Sequence, residues 1–434
     1  MIQSLLNEVV SLAPVLVLAL ALGYLAVRHQ RLFLALFMFL TAFVSTRDFA
    51  PTLGVTFSGV SVYPEDLIMV IGAGAALNRI GQWKLRPATR MAALVYVLLV
   101  GLGAITWISA FGGQVGANSW RLPMLSATLL LYATTRSRAW SWGDLRVIIV
   151  APAIVVAVAS MAGILLYGFG SNSSAVEVAG GVLYDSRPVS APGSLLMLMG
   201  LWVTLLSPGK WTGKRLFIVV LLGGMVLFTQ SRSVWVAAIF TIVVWWLAPR
   251  SRPRGGSGGL RGLSRTIITF LVASTTALVG FSVTPLGQSA SDDQTFLWRV
   301  ALWAESMDIP RSWVEWLVGS ALGPTPTAAP GLFPSHSLYV IAIEMTGFIG
   351  LGAMLYLVVS LRNAPAPPSI TPLGLVVCVA FLGFGVGYPL PPWAWMLAGI
   401  LLASNRPDFT DAEWSLDHAR THMPGVLTME EDLL

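Results

Sequence analysis

Charge is what this sequence has least of. Only 11% of its 434 residues are Asp, Glu, Lys or Arg, against about 25% in an ordinary soluble domain. So little charge cannot cover a water-facing surface of this size, which excludes a soluble multidomain enzyme, a disordered chain and a coiled coil. Cysteine is nearly absent too. Cys378 is the only one, and it sits in the apolar run 371–388, so there is no intramolecular disulfide framework and no cysteine metal site. Basic runs interleaved with aromatics are missing outside hydrophobic flanks, so the formal charge of +6 does not point to nucleic acid. No GxxxxGK[ST] phosphate loop occurs either.

What is present is apolar. Hydrophobic residues make up 56% of the chain, and the mean hydropathy is +0.76. Apolar spans run at roughly 8–27, 32–46, 60–77, 91–110, 120–134, 147–168, 190–206, 216–229, 233–248, 266–284, 336–360, 371–388 and 392–404. A bilayer-crossing helix needs about 20 residues. The expected fold is therefore an all-α polytopic integral membrane protein of about 12–13 transmembrane helices. The spans at 32–46, 120–134 and 392–404 are short, so one of them is a candidate for a re-entrant or tilted segment. No Lys or Arg precedes the first span and its apolar run is long, so it reads as a span rather than a signal peptide. Several of the seventeen Trp, including Trp83, Trp107, Trp120, Trp202, Trp211 and Trp393, lie near span ends, where amphipathic rings suit headgroup depth.

Cations give the orientation. Alternate loops carry Arg28 and Arg31; Arg79, Lys84, Arg86 and Arg90; Arg136, Arg138 and Arg146; Lys210, Lys214 and Arg215. The series continues through Arg250, Arg252, Arg254, Arg261 and Arg265, then Arg362, then Arg406 and Arg420, together 20 of the 26 Lys and Arg. By the positive-inside rule that side is cytoplasmic. The layout expected is an N-terminal bundle over 1–284 with a flexible cytoplasmic loop at 249–265, and a large structured outer loop over 285–335. Further helices follow over 336–404, then an acidic cytoplasmic tail over 405–434. With 13 spans the N-terminus lies outside.

The six remaining cations are Arg47, Arg121, Arg187, Arg232, Arg299 and Arg311; none is a lysine. A planar guanidinium fork matches diphosphate oxygens in pairs, whereas snorkelling to headgroups or pairing with a carboxylate is the structural alternative. Arg47, beside Asp48, fits that alternative. Within 285–335, FLWRVALWAES (296–306) and SWVEWLVGSALG (312–323) are aromatic and amphipathic and read as short helices along the outer leaflet. His336 then opens the span 336–360. At about 100° per residue, Val340, Ile343, Gly347 and Gly350 fall on nearly its face, and the two glycines permit close approach of a neighbouring helix. Glu344 lies off that face and reads as a partner for a neighbouring helix.

The run His336-Ser337, nine residues, then Gly347-Phe348-Ile349-Gly350 resembles the H[NSQ]-x9-Gxx[GTY] pattern of O-antigen ligases, and in the wider O-antigen ligase/polymerase superfamily this helix also follows a large periplasmic loop. TQSRSVWVA (229–237), YDSRPVSAPGSLL (184–196) and TFLWRVALWAESMDIP (295–310) resemble its arginine-containing segments, so the likeness covers about residues 180–360. The loop departs from the ligase R-x3-L element: Arg299 is followed by Leu302 and Trp303, and Arg311 by Glu315.

The resemblance implies a metal-independent membrane glycosyltransferase without cofactor. It would move a glycan from a polyprenyl diphosphate carrier to an acceptor hydroxyl of a glycan or glycolipid, on the outer face of the inner membrane. A divalent cation or fixed cationic donors must stabilise the lipid diphosphate leaving group. No Asp-x-Asp occurs, since Asp292-Asp293 are adjacent, so Arg187, Arg232 and Arg299 are the expected diphosphate ligands. His336 has a suitable unperturbed pKa for orienting or deprotonating the acceptor, and Gly347 and Gly350 are expected to hold its helix. A polysaccharide polymerase of the same superfamily and a lipid-linked-glycan flippase are the alternatives. Transporters usually place polar groups at mid-membrane, whereas these lie at the boundary.

Overall fold

In the computed structural model the structure describes residues 17–45, 55–57, 60–62, 64–83, 85–111, 113–135, 140–167, 174–178, 181–185, 189–208, 210–228, 231–247, 294–323, 337–363 and 371–404. The chain is predominantly helical. The described elements begin with α1 (Val17–Arg28) and α2 (Gln30–Ser45), then α3 (Pro64–Asn78), α4 (Pro87–Phe111) and α5 (Gly113–Thr134). A helix of one turn, α6 (Trp142–Leu145), runs through a π turn (Arg146–Val150) into α7 (Ala151–Tyr167). After α8 (Ala191–Leu206), α9 (Gly213–Phe228) and α10 (Arg232–Leu247) come α11 (Gln294–Asp308) and α12 (Trp313–Val318). The last three are α13 (Leu338–Ser360), α14 (Thr371–Gly387) and α15 (Pro392–Ala403). The span expected at 266–284 and the tail at 405–434 lie outside the described residues.

Among the described residues two antiparallel hairpins add to the helices. β1 (Val55–Phe57) pairs with β2 (Val60–Val62) before α3, and β3 (Ser174–Val178) pairs with β4 (Gly181–Asp185) before α8. Hydropathy hides such short strands, since each contributes only a few apolar residues at period two.

Among the described residues three helices are long and apolar enough to cross a membrane: Pro87–Phe111, Trp142–Leu165 and Leu338–Ser360. Six shorter apolar helices of 10–17 residues accompany them. The expected short span at 120–134 belongs to a longer helix, because the polar start Gly113–Ser119 lowers its hydropathy without stopping helix formation. The short span at 392–404 is a different case. Every residue from Trp393 to Ala403 is buried, so protein encloses this helix all round, as an apolar helix without a polar face requires.

Small residues set how closely the helices approach. Gly399 on α15 lies so near α5 that a Cβ there would stand 2.8 Å from both Ala133 Cβ and the Leu130 carbonyl oxygen. Tyr96 of α4 stacks on Trp395 of α15 at 5.0 Å between ring centroids. Between α4 and α5 the indole of Trp120, fully buried, occupies the space over Gly103. Hydroxyls within the apolar helices donate to a carbonyl one turn back, as Ser126 does to Leu122 and Thr204 to Gly200, both at 2.7 Å. The Trp202 indole donates to Thr241 Oγ1 at 3.0 Å. No water is needed to satisfy these groups, which is the demand a lipid surrounding makes.

Arg215 closes α8. Its Nε donates to the Thr204 carbonyl at 3.1 Å and its Nη2 to those of Leu205 and Ser207 at 3.0 and 2.7 Å, the last orphan acceptors of that helix. The outward faces are apolar: Met91, Leu98, Leu102 and Ile105 form an exposed stripe along α4, and Leu216, Phe217 and Val220 one along α9.

A methyl group at residue 103 would lie 2.0 Å from Trp120 Cη2, and the enclosed indole has nowhere to go. Gly103→Ala is expected to destabilise by about 1–3 kcal/mol, read as a lowered unfolding midpoint in detergent; an unchanged midpoint contradicts this packing.

Candidate functional site

The two amphipathic stretches between α10 and α13 form α11 and α12, joined through Ile309–Ser312. Ser312 begins α12 with a capping box: its hydroxyl accepts from the Glu315 N–H at 3.2 Å, and Glu315 Oε2 accepts from the Ser312 N–H at 2.6 Å. A 3₁₀ turn, Gly319–Leu322, follows. It is bonded into the bundle rather than laid over it. The Trp107 indole of α4 donates to the Ser320 carbonyl and the Thr106 hydroxyl to that of Ala321, each at 3.2 Å.

On its other side the turn meets α13, which is not the single straight helix expected over 336–360. Gly347 has φ 63° and ψ −169°, and the helix breaks there into two segments. The α12 backbone fills the break. A Cβ on Gly347 would stand 2.3 Å from the Leu317 carbonyl carbon and oxygen, and one on Gly319 (φ 63°) would stand 2.5–2.6 Å from the backbone of Met345, Thr346 and Gly347. Each glycine supplies a positive φ and room for the opposing backbone, Leu317–Val318 at Gly347 and Met345–Gly347 at Gly319. Trp316 of α12 stacks on Phe348 at 5.6 Å. Around this contact the Ser320 hydroxyl donates to the Glu344 carbonyl at 2.8 Å, and the Ser306 hydroxyl of α11 bonds the Glu344 carboxylate. Glu344 thus joins the segment between α10 and α13 to its helix.

The break also ends the helical phase that placed Gly347 and Gly350 on one face with residue 336. Gly347 meets α12. A Cβ on Gly350 would meet Thr346 of its own helix, 2.0 Å from the hydroxyl oxygen. The first turn of α13 is fixed separately against α14: Tyr339 donates to the Leu382 carbonyl at 2.6 Å, and buried Ser337 to that of Gly385 at 3.4 Å.

The expected site residues are placed unevenly. His336 and Arg187 lie outside the described residues, as does Arg47. Arg232 is the first residue of α10, just after buried Ser231, whose carbonyl accepts from the Val234 and Trp235 N–H groups. Arg299 lies within α11. Two further arginines of the same set show contrasting environments. Arg121 pairs with Asp66 at 2.8 Å. Arg311 has no carboxylate partner among the described residues; its Nη2 donates to the Ser306 carbonyl at 2.8 Å, and its guanidinium lies 5.0 Å from the Trp316 ring centroid. Its Nη1 is buried without a hydrogen-bond partner.

Sequence reasoning did not single out Gly319, Ser320, Ser306 or Thr106. The Gly-Ser pair inside the amphipathic stretch 312–323 was the only signal, and it reads equally as an ordinary turn. Among the described residues no three His, Cys, Asp or Glu side chains gather as metal ligands. Comparison of the chain with protein-family models, curated proteins and solved structures finds no match.

Gly347→Ala combines a strained φ with a backbone collision and is expected to cost about 3 kcal/mol. Gly352, on the same helix, has open space at its Cβ position, so Gly352→Ala should be neutral or stabilise by up to about 1 kcal/mol. Equal unfolding midpoints for the two variants would contradict the interlock.

Proposed function

We propose that this chain is a multi-pass membrane glycosyltransferase of the O-antigen ligase/polymerase type. On this reading its 12–13 spans carry the active face on the cation-poor side of a bacterial inner membrane, with the C-terminus cytoplasmic. The observation that carries the proposal is a coincidence of motif and geometry. The histidine-glycine motif of residues 336–350 ends in a broken helix into which the loop segment 294–323 is locked. Exposed apolar stripes on α4 and α9 support lipid as the surrounding medium.

In the proposed reaction the acceptor hydroxyl oxygen attacks the anomeric carbon of the lipid-linked glycan. A glycosidic bond forms, the bond from that carbon to the diphosphate oxygen breaks, and polyprenyl diphosphate leaves with the bonding electrons. His336 takes the hydroxyl proton. Arg187, Arg232 and Arg299 balance the charge gathering on the diphosphate. The diphosphate linkage supplies the driving force, so no nucleotide is consumed. Of the four histidines, His29, His418 and His422 fall in segments assigned to the opposite face, which leaves His336 for this role.

The ligase and the polymerase differ in acceptor alone. The departure from R-x3-L after Arg299 and Arg311 keeps a polymerase of the same superfamily as the alternative to the ligase reading.

His336→Ala should reduce transfer by about 100-fold or more while the protein remains inserted and folded; near-normal transfer removes His336 from the mechanism. Arg232→Lys keeps the charge but loses the fork, and turnover should still fall about tenfold; full activity would mean any cation suffices. Chelators should leave the rate unchanged, and a collapse would contradict stabilisation by arginine alone.

A further inference from the structure

We propose that the turn Gly319–Leu322 is a positioning wedge, which sets the angle between the two halves of α13 and thereby holds its first turn against α14. The wedge has two fixed sides. On one, the buried Trp107 and its neighbour Thr106 bind the carbonyls of Ser320 and Ala321. On the other, the Gly319 backbone lies against that of Met345–Gly347, and the adjoining Leu317–Val318 backbone fills the break. A break in a helix leaves carbonyls of the preceding turn short of donors, and the Ser320 hydroxyl supplies one to Glu344 at 2.8 Å. Ser320 is buried, so water does not compete for that bond.

The first half of α13 is short and held at both ends. Its far end carries the Tyr339 and Ser337 bonds to α14, and its near end is the wedge. A glycine in the left-handed region is a hinge unless its surroundings fix it. Here the fixing comes from a turn that is itself held by α4, which lies some 200 residues earlier in the chain. Withdrawing the wedge frees the hinge and loosens the contact of residues 337–339 with α14. Where this bears on chemistry it rests on the proposed role of His336, the residue preceding Ser337: the wedge positions the base and does not touch the reacting atoms.

The test uses the full chain in native membranes with the double substitution Leu338→Cys/Gly385→Cys. Leu338 Cβ lies 3.2 Å from the Cβ position of residue 385, close to the roughly 3.5–4.5 Å that a disulfide spans. The native Cys378 is buried and does not compete. The pair should oxidise readily, and adding Ser320→Ala or Trp107→Phe should slow oxidation about tenfold. Adding Ser109→Ala, which removes only a bond to Ile105 within α4, should leave the rate alone. Ser320→Ala keeps the backbone, so it avoids the folding risk of Gly319→Ala. Unchanged rates in both wedge variants, or no oxidation in the parent pair, overturn the proposal. Cross-linking needs no turnover, so it is decided independently of the glycosyl-transfer reading. With undecaprenyl diphosphate-linked disaccharide as donor, Ser320→Ala should lower kcat about tenfold at unchanged donor KM. A change confined to KM overturns the positioning role.

Discussion

Where Gly319 and Gly347 meet, two backbones come closer than any pair of side-chain-bearing residues allows. Both glycines adopt φ 63°; a Cβ on Gly319 would claim the space of the Met345–Gly347 backbone, and one on Gly347 that of Leu317 and Val318, just before Gly319. The contact is steric, short-ranged and without tolerance, unlike the apolar burial that gathers the helices. It converts the segment 294–323 from a connection between helices into part of the bundle. Its satellites follow from it: Trp316 on Phe348, Ser320 and Ser306 on Glu344, and the α4 indole on the Ser320 carbonyl.

Polar groups elsewhere in the molecule serve two different ends. Arg215 and Arg146 take up carbonyls at the end of α8, and Arg121 is neutralised by Asp66. Those arginines answer architectural needs. Arg311 keeps a buried N–H without an acceptor, an arrangement that costs about 1–3 kcal/mol where no compensation exists. It stands beside the same cluster of Ser306, Trp316 and Glu344. Among the described residues it shares this lack with the indole N–H groups of Trp83, Trp120, Trp142, Trp303 and Trp393.

Most helix positions were legible because apolar composition is a sum over many residues. Spans such as 91–110, 147–168 and 190–206 survive any local error and correspond to α4, α7 and α8. The hairpins were not legible, since strands of three to five residues carry too little pattern. Nor was the kink. Gly347 and Gly350 at helical spacing suit a packing face as well as a break, and only the partner segment, some thirty residues earlier, decides between them. The sorting of arginines was equally hidden, because Arg121 finds its carboxylate 55 residues away. Of the site, Glu344 was read as a partner for a neighbouring element, and the structure gives it Ser306 and Ser320. The wedge residues that reach it are unremarkable in type and were passed over.

The claim that bonds are made and broken on a lipid-linked substrate is tested most directly by reconstitution. Purified protein in liposomes would be given a polyprenyl diphosphate-linked glycan and an acceptor glycan, with no nucleotide and no other protein present. The account predicts a new glycosidic product appearing in step with free polyprenyl diphosphate, one for one. Donor that crosses between leaflets with its sugar–diphosphate bond intact, and no product, would contradict it and identify a carrier of lipid-linked glycans instead.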